Sequence, residues 1–209
     1  MENNRVKKII TVIISCSFIL ITASGSKKVS KKELAARGVL NSFEVLPSET
    51  AIGDFDWETN GYVKLEQFKK YATKGKHSVQ AIFSVPSDFL QPKEAMASPS
   101  WIAGITMSIN SLTRLKLTNW SPYKKFAFDV FVPDEASYDM GVKLYDGSGR
   151  VFLSNMKLAS GKNKLELNLS DVKTAGLELK NITAFTLFMD TKRQEKAVTL
   201  YIDNVRLVP

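Results

Sequence analysis

Ala197–Pro209 reads AVTLYIDNVRLVP, and its alternation decides the fold. Val198, Leu200 and Ile202 fall on one side of an extended chain, and Thr199, Tyr201 and Asp203 on the other. That period of two marks a half-buried strand, expected to close a sheet begun much earlier.

Working back from it, the same pattern recurs. Lys125 to Val132 (KFAFDVFV) puts Phe126, Phe128, Val130 and Val132 on one face. His77 to Val85 does so with Val79, Ala81 and Phe83, before Pro86 stops it. Lys164 to Leu169 alternates Leu165, Leu167 and Leu169 with polar residues. Met140 to Tyr145 and Val151 to Lys157 flank Asp146-Gly147-Ser148-Gly149, a hairpin signal. Val39 to Leu46, Tyr62 to Ala72, Trp101 to Ile109, Thr113 to Leu117 and Ile182 to Met189 complete the expected strands. Ser170 to Ala175 reads as a short helical turn. Short strands with frequent turns and no convincing amphipathic helix predict an all-β fold, a β-sandwich.

The first residues belong to something else. Arg5, Lys7 and Lys8 precede the apolar run Ile9 to Ala23, with Ser24 and Gly25 after it. A basic start, an apolar core and small residues behind it predict a signal peptide over 1–25 and an exported protein. Such a protein would be periplasmic, on the cell surface or extracellular. Cys16, the only cysteine, stands in a loose lipoprotein-like setting; cleavage near Gly25 is the favoured expectation over lipidation. Membrane contact is then expected only through the N-terminus.

The net charge of +8 is unevenly placed. Residues 1–25 carry +2 and the lysine-rich tether 26–38 carries +4, leaving +2 for residues 39–209. The domain's own balance argues against nucleic acid as a partner.

Four short motifs lie in order along residues 40–208: Ser42-Phe43-Glu44, Gly75-Lys76-His77-Ser78, Trp120-Ser121-Pro122-Tyr123 with Phe128-Asp129-Val130, and Tyr201-Ile202-Asp203-Asn204-Val205. Together they resemble the galactose-binding-like jelly rolls of carbohydrate-binding modules. The resemblance implies a jelly-roll domain over 39–209 and a polysaccharide or glycan partner. It also implies one structural Ca2+ tying the first strand to the last, held by Glu44, Asp203 and the carbonyl of Lys76. A calcium site needs several hard oxygens converging from carboxylates and carbonyls.

Sugar recognition calls for aromatic faces, whose negative charge meets the ring C–H groups of a pyranose. Opposite the core pattern lie Phe131, Tyr145 beside Lys143, Phe188 and Tyr201. Trp57, in an acidic loop, and Trp101, after a proline-rich loop, are further candidates, either as sugar platforms or as pins for their loops. Trp120 reads as core. Whether the outward aromatics share one sheet is left open by the sequence.

Catalysis finds little support. His77 is the only histidine, so catalytic triads and zinc sites fail by count. Asp54, Asp56 and Glu58 could supply the two carboxylates of a glycosidase, but alternating acids in one loop more often face water. The sequence therefore points to an exported, non-catalytic, monomeric carbohydrate-binding module. The alternative is a structural or protein-interaction sandwich of the cell envelope.

Overall fold

The computed structural model describes residues 36–44, 57–88, 101–192 and 194–209. The expected signal peptide, Cys16, most of the tether, and Asp54 and Asp56 lie outside these residues.

Among the described residues eleven strands form two antiparallel sheets. The six-stranded sheet runs β3 (Val63–Phe68), β4 (Ser78–Phe83), β11 (Val198–Val208), β6 (Lys125–Val132), β9 (Gly161–Asn168), with β1 (Val39–Asn41) also pairing β11. The five-stranded sheet runs β2 (Glu58–Thr59), β5 (Ile102–Met107), β10 (Ile182–Asp190), β7 (Tyr138–Asp146), β8 (Val151–Leu158). Strand neighbours are mostly non-consecutive in sequence, as a jelly roll requires.

The alternating residues face each other across the sandwich. Ile202 sits in register between Val79 and Val130, and Leu187 between Ile105 and Val142. All six are buried in one continuous core. Trp120 is fully enclosed, stacked on Phe126 at 5.4 Å, and its indole N–H donates to the Leu117 carbonyl at 2.8 Å. The expectation that it serves the core is met.

Thr113 to Leu117 is not a strand. Ile109–Arg114 forms helix α1, and Lys116 adopts φ 58°, so that the Leu117 N–H reaches back to the Leu112 carbonyl at 2.8 Å. The leucines that looked alternating are a helix end closed by a left-handed residue. The second helix, α2 (Leu169–Thr174), falls where a helical turn was expected.

Asp146 organises the β7–β8 hairpin. One carboxylate oxygen accepts from the Ser148 and Arg150 amides and the Ser148 hydroxyl, and the other from the Glu178 amide. These donors favour the anion and lower its pKa to about 2, the Glu178 amide contributing most. A depressed folded pKa gives stability that is present above the unfolded value near 3.8 and lost as pH falls through about 2. Asp146→Asn should therefore lower the urea midpoint at neutral pH. The wild-type and variant midpoints should converge as pH drops through that window.

Candidate functional site

The four outward aromatics divide between the sheets. Phe131 and Tyr201 are register partners on the six-stranded sheet, and Tyr145 and Phe188 belong to the five-stranded one. No single face collects them.

On the six-stranded sheet the rings are covered by the connection between β3 and β4. Tyr71 stacks on Phe131, centroids 3.8 Å apart and planes 11° apart, and meets Tyr201 at 4.6 Å. Phe68 packs on Tyr201 from the other side at 5.0 Å. Gln80 donates to the Tyr201 hydroxyl at 2.9 Å. Tyr201 is thereby buried, while Tyr71 stays 37% exposed. Tyr71 has φ 63°, a conformation worth about 1–3 kcal/mol of strain in a residue with a bulky side chain. The sequence reading missed it because the expected strand was carried through Ala72, whereas β3 ends at Phe68 and Tyr71 lies in the connection that follows.

On the five-stranded sheet Phe188 is flanked in register by Gly104 and Gly141. Its ring lies over Gly141, where a Cβ would stand 2.0 Å from Phe188 Cζ and force the ring to move, and Phe188 itself is only 7% exposed. Lys143 Nζ sits 4.9 Å above the ring. Small residues, Ala184, Thr186 and Thr106, continue the floor, with Thr106 and Thr186 joined through their hydroxyls at 2.8 Å. Tyr145 is half-buried at the margin. Next to it on β8 stand Val151, in register with Tyr145, and Leu153, in register with Lys143. They are 53% and 54% exposed.

The tryptophan expectations need correction. Trp57 is 3% exposed and lies in the core against Phe43 and, edge-on, Phe185. The ring turns inward because β2 continues the sheet directly after it, so its acidic neighbours mark the edge and not the direction of Trp57. Trp101 is also enclosed, packed on Tyr62 at 4.4 Å. Neither offers a ring face to a ligand; both pin their segments to the sandwich.

The expected calcium ligands meet at one corner with different partners. Glu44 Oε1 accepts from the Lys76 and His77 amides, each at 2.8 Å, with His77 Nδ1 3.4 Å from the other oxygen. These amides, His77 first, lower the Glu44 pKa. Asp203 Oδ2 accepts from the Thr73 and Lys74 amides at 2.6 and 2.8 Å, and Oδ1 from the Asn204 amide. Lys76 thus contributes its N–H where its carbonyl was expected. Gly75, at φ 78°, passes so close that a Cβ would lie 2.4 Å from Glu44 Oε1. As arranged, the donor set suits hydrogen bonding and does not fit a calcium shell. Among the described residues no group of three or more acids, histidines or cysteines is placed to hold a metal.

No protein-family model and no curated protein matches the sequence. Solved structures do share the fold. A chain from an exo-β-agarase superposes with TM-score 0.57 at 13% identity, covering 82% of this chain and 25% of that one. This chain thus spans about a quarter of that protein's length. The family 11 carbohydrate-binding module from Clostridium thermocellum, in complex with a β-1,3-1,4-mixed-linked tetrasaccharide, gives TM-score 0.51 at 13% identity. Coverage there is 78% of this chain and 93% of that one. The CBM22-1 xylan-binding domain of Paenibacillus barcinonensis Xyn10C gives 0.50 at 18% identity, with 82% and 96% covered. The fold is the jelly-roll β-sandwich of carbohydrate-binding modules.

With its ring in the core, Trp57→Ala should lower unfolding free energy by about 3–5 kcal/mol, the usual range for a buried aromatic. Chemical denaturation measures this; a change under about 1 kcal/mol would place the ring outside the core.

Proposed function

We propose that the domain is an exported, non-catalytic glycan-binding module whose ligand lies across the five-stranded sheet. The observation that carries this is the floor around Phe188. Glycine on both neighbouring strands makes room for the ring, leaving a low surface bordered by Tyr145 and Lys143. A sugar chain needs such a shallow bed, an aromatic edge for stacking and a polar group for its hydroxyls. The fold shared with a module described in complex with a β-1,3-1,4-mixed-linked tetrasaccharide and with a xylan-binding domain supports the reading. The basic start and apolar run at residues 1–25 support export. Asp139 on this face is paired with Lys157 at 2.7 Å, and His77 lies in the connection before β4 of the other sheet, which favours binding over chemistry.

Affinity electrophoresis of the full chain in gels containing mixed-linked glucan, xylan or agarose tests this. Tyr145→Ala should weaken retardation roughly five- to tenfold, the effect of losing about 1 kcal/mol of ring stacking. Retardation unchanged by Tyr145→Ala would remove the sugar from this face. A second reading, docking of a protein partner, rests on exposed Val151 and Leu153 along strand β8, which lies at the edge of the sheet. It is favoured if no glycan retards the protein while Leu153→Lys abolishes co-purification of a defined partner.

A structural calcium at Glu44 and Asp203 would have to exchange amide contacts for metal–oxygen bonds. Calcium and EGTA should therefore leave Tm equal in the wild type; a Tm raised by calcium and lowered by EGTA there, but not in Glu44→Gln, would put the ion at this corner. An equal Tm in both solutions leaves this corner to hydrogen bonds.

A further inference from the structure

Between β3 and β4 the chain reads Lys69-Lys70-Tyr71-Ala72-Thr73-Lys74-Gly75-Lys76. All four lysines are exposed, and none has an acidic partner among the described residues. The acids nearby are directed elsewhere. Asp203 and Glu44 accept backbone amides of this same turn, and Glu44 faces the His77 ring. Asp129 meets the Thr73 hydroxyl, the Asn204 amide and Arg206. Glu66 pairs with Lys64 and Glu166 with Lys125 and Lys164. Lys162, exposed and in register with Phe131, adds another cation beside the aromatic cluster.

Tyr71 stands among these cations. One face of its ring is taken by Phe131, and the residue lines an open cavity of roughly 590 Å³ with Lys69, Ala72, Gly75, Lys76 and His77. That volume is of the size that accepts small ligands. The turn is not loose, since four of its amides are held by buried or half-buried carboxylates.

We propose that this cavity is a second glycan site, separate from the five-stranded face, and that it takes sugars bearing carboxylate or sulfate groups. The pyranose C–H face rests on Tyr71, and the anion is met by Lys69 and Lys76. A single ring backed by Phe131 suits one sugar residue; a nucleic-acid strand needs successive stacking platforms along a basic groove. The cations here are gathered on one turn.

Affinity electrophoresis of the full chain in polygalacturonate, dextran sulfate and neutral agarose gels tests the site, with oligo(dT) titrated in parallel. Retardation by polygalacturonate assigns carboxylate, and by dextran sulfate assigns sulfate; either supports the proposal. Lys69→Gln/Lys76→Gln should then bind the acidic polymer at least about fivefold more weakly. Lys173→Gln/Lys180→Gln, which removes equal charge from exposed positions elsewhere, should not. Tyr71→Asn, which tolerates the left-handed backbone, should also weaken binding by roughly fivefold. If Tyr71→Asn fails to fold by near-UV circular dichroism, the exposed lysine pair still decides. The proposal is overturned by no retardation in either acidic gel, by equal loss in the control pair, by indifference to a folded Tyr71→Asn, or by tighter binding of oligo(dT). Neutral-glycan retardation through Tyr145 is scored separately, so either site can fail alone.

Discussion

Asp203 is the constraint on which this structure turns. Its carboxylate is 1% exposed, in the middle of the strand that joins β4 to β6. A buried carboxylate without donors is costly enough to unfold a small domain. Burial raises its pKa, and the amides of Lys74, Thr73 and Asn204 pull the other way by favouring the anion. Supplying those donors requires β11 to bulge: the register slips between Asp203 and Arg206, and Asn204 takes φ 52°. It also requires a turn from 130 positions earlier in the chain to come down onto the sheet. Glu44 holds the other end of that turn from β1's side, so the start, the turn and the last strand are tied at one corner.

Fixing the turn has consequences for both faces. With Thr73 and Lys74 held down, Tyr71 has no choice but to lie over Phe131 and Tyr201, in a backbone conformation it would otherwise avoid. The six-stranded sheet is thus roofed by its own chain. Nothing comparable happens among the described residues of the five-stranded sheet. There the single aromatic in the middle, Phe188, is accommodated by removing side chains beside it, and the surface remains low. One sandwich carries two kinds of aromatic surface: one built up by a turn, the other lowered by glycine.

The strands were legible because period-two alternation is written into each segment that faces the core. KFAFDVFV, HSVQAIFSV and VTLYIDNV need no tertiary information to be recognised. Directions within irregular segments were not legible. Trp57 reads as exposed because acids surround it, yet its orientation is set by the strand pairing of Glu58 and Thr59 with β5. Thr113 to Leu117 mimics a strand because its leucines alternate, whereas Lys116 in a left-handed conformation closes a helix. The four aromatics lie on the sheet faces opposite the core pattern, but Phe188 and Tyr201 are buried there. Their division between sheets depends on strand order, which sequence periodicity does not contain. Tyr71 lay in a turn, where no pattern marks a side chain that folds back.

The charge reading shows a related limit. A domain total of +2 describes the surface as a whole, and on that scale it argues against nucleic acid. A ligand in salt solution, however, responds to charges within a Debye length, about 8 Å at physiological ionic strength. Over that distance the relevant quantity is the local arrangement, and four lysines in eight residues form a dense one. The two carboxylates nearest the turn, buried Asp203 and half-buried Glu44, are oriented toward its amides. Their partial screening by those dipoles and their depth leave the outer surface of the turn cationic. A nearly neutral domain can therefore recognise an anion, provided the fold separates its charges by depth as this one does.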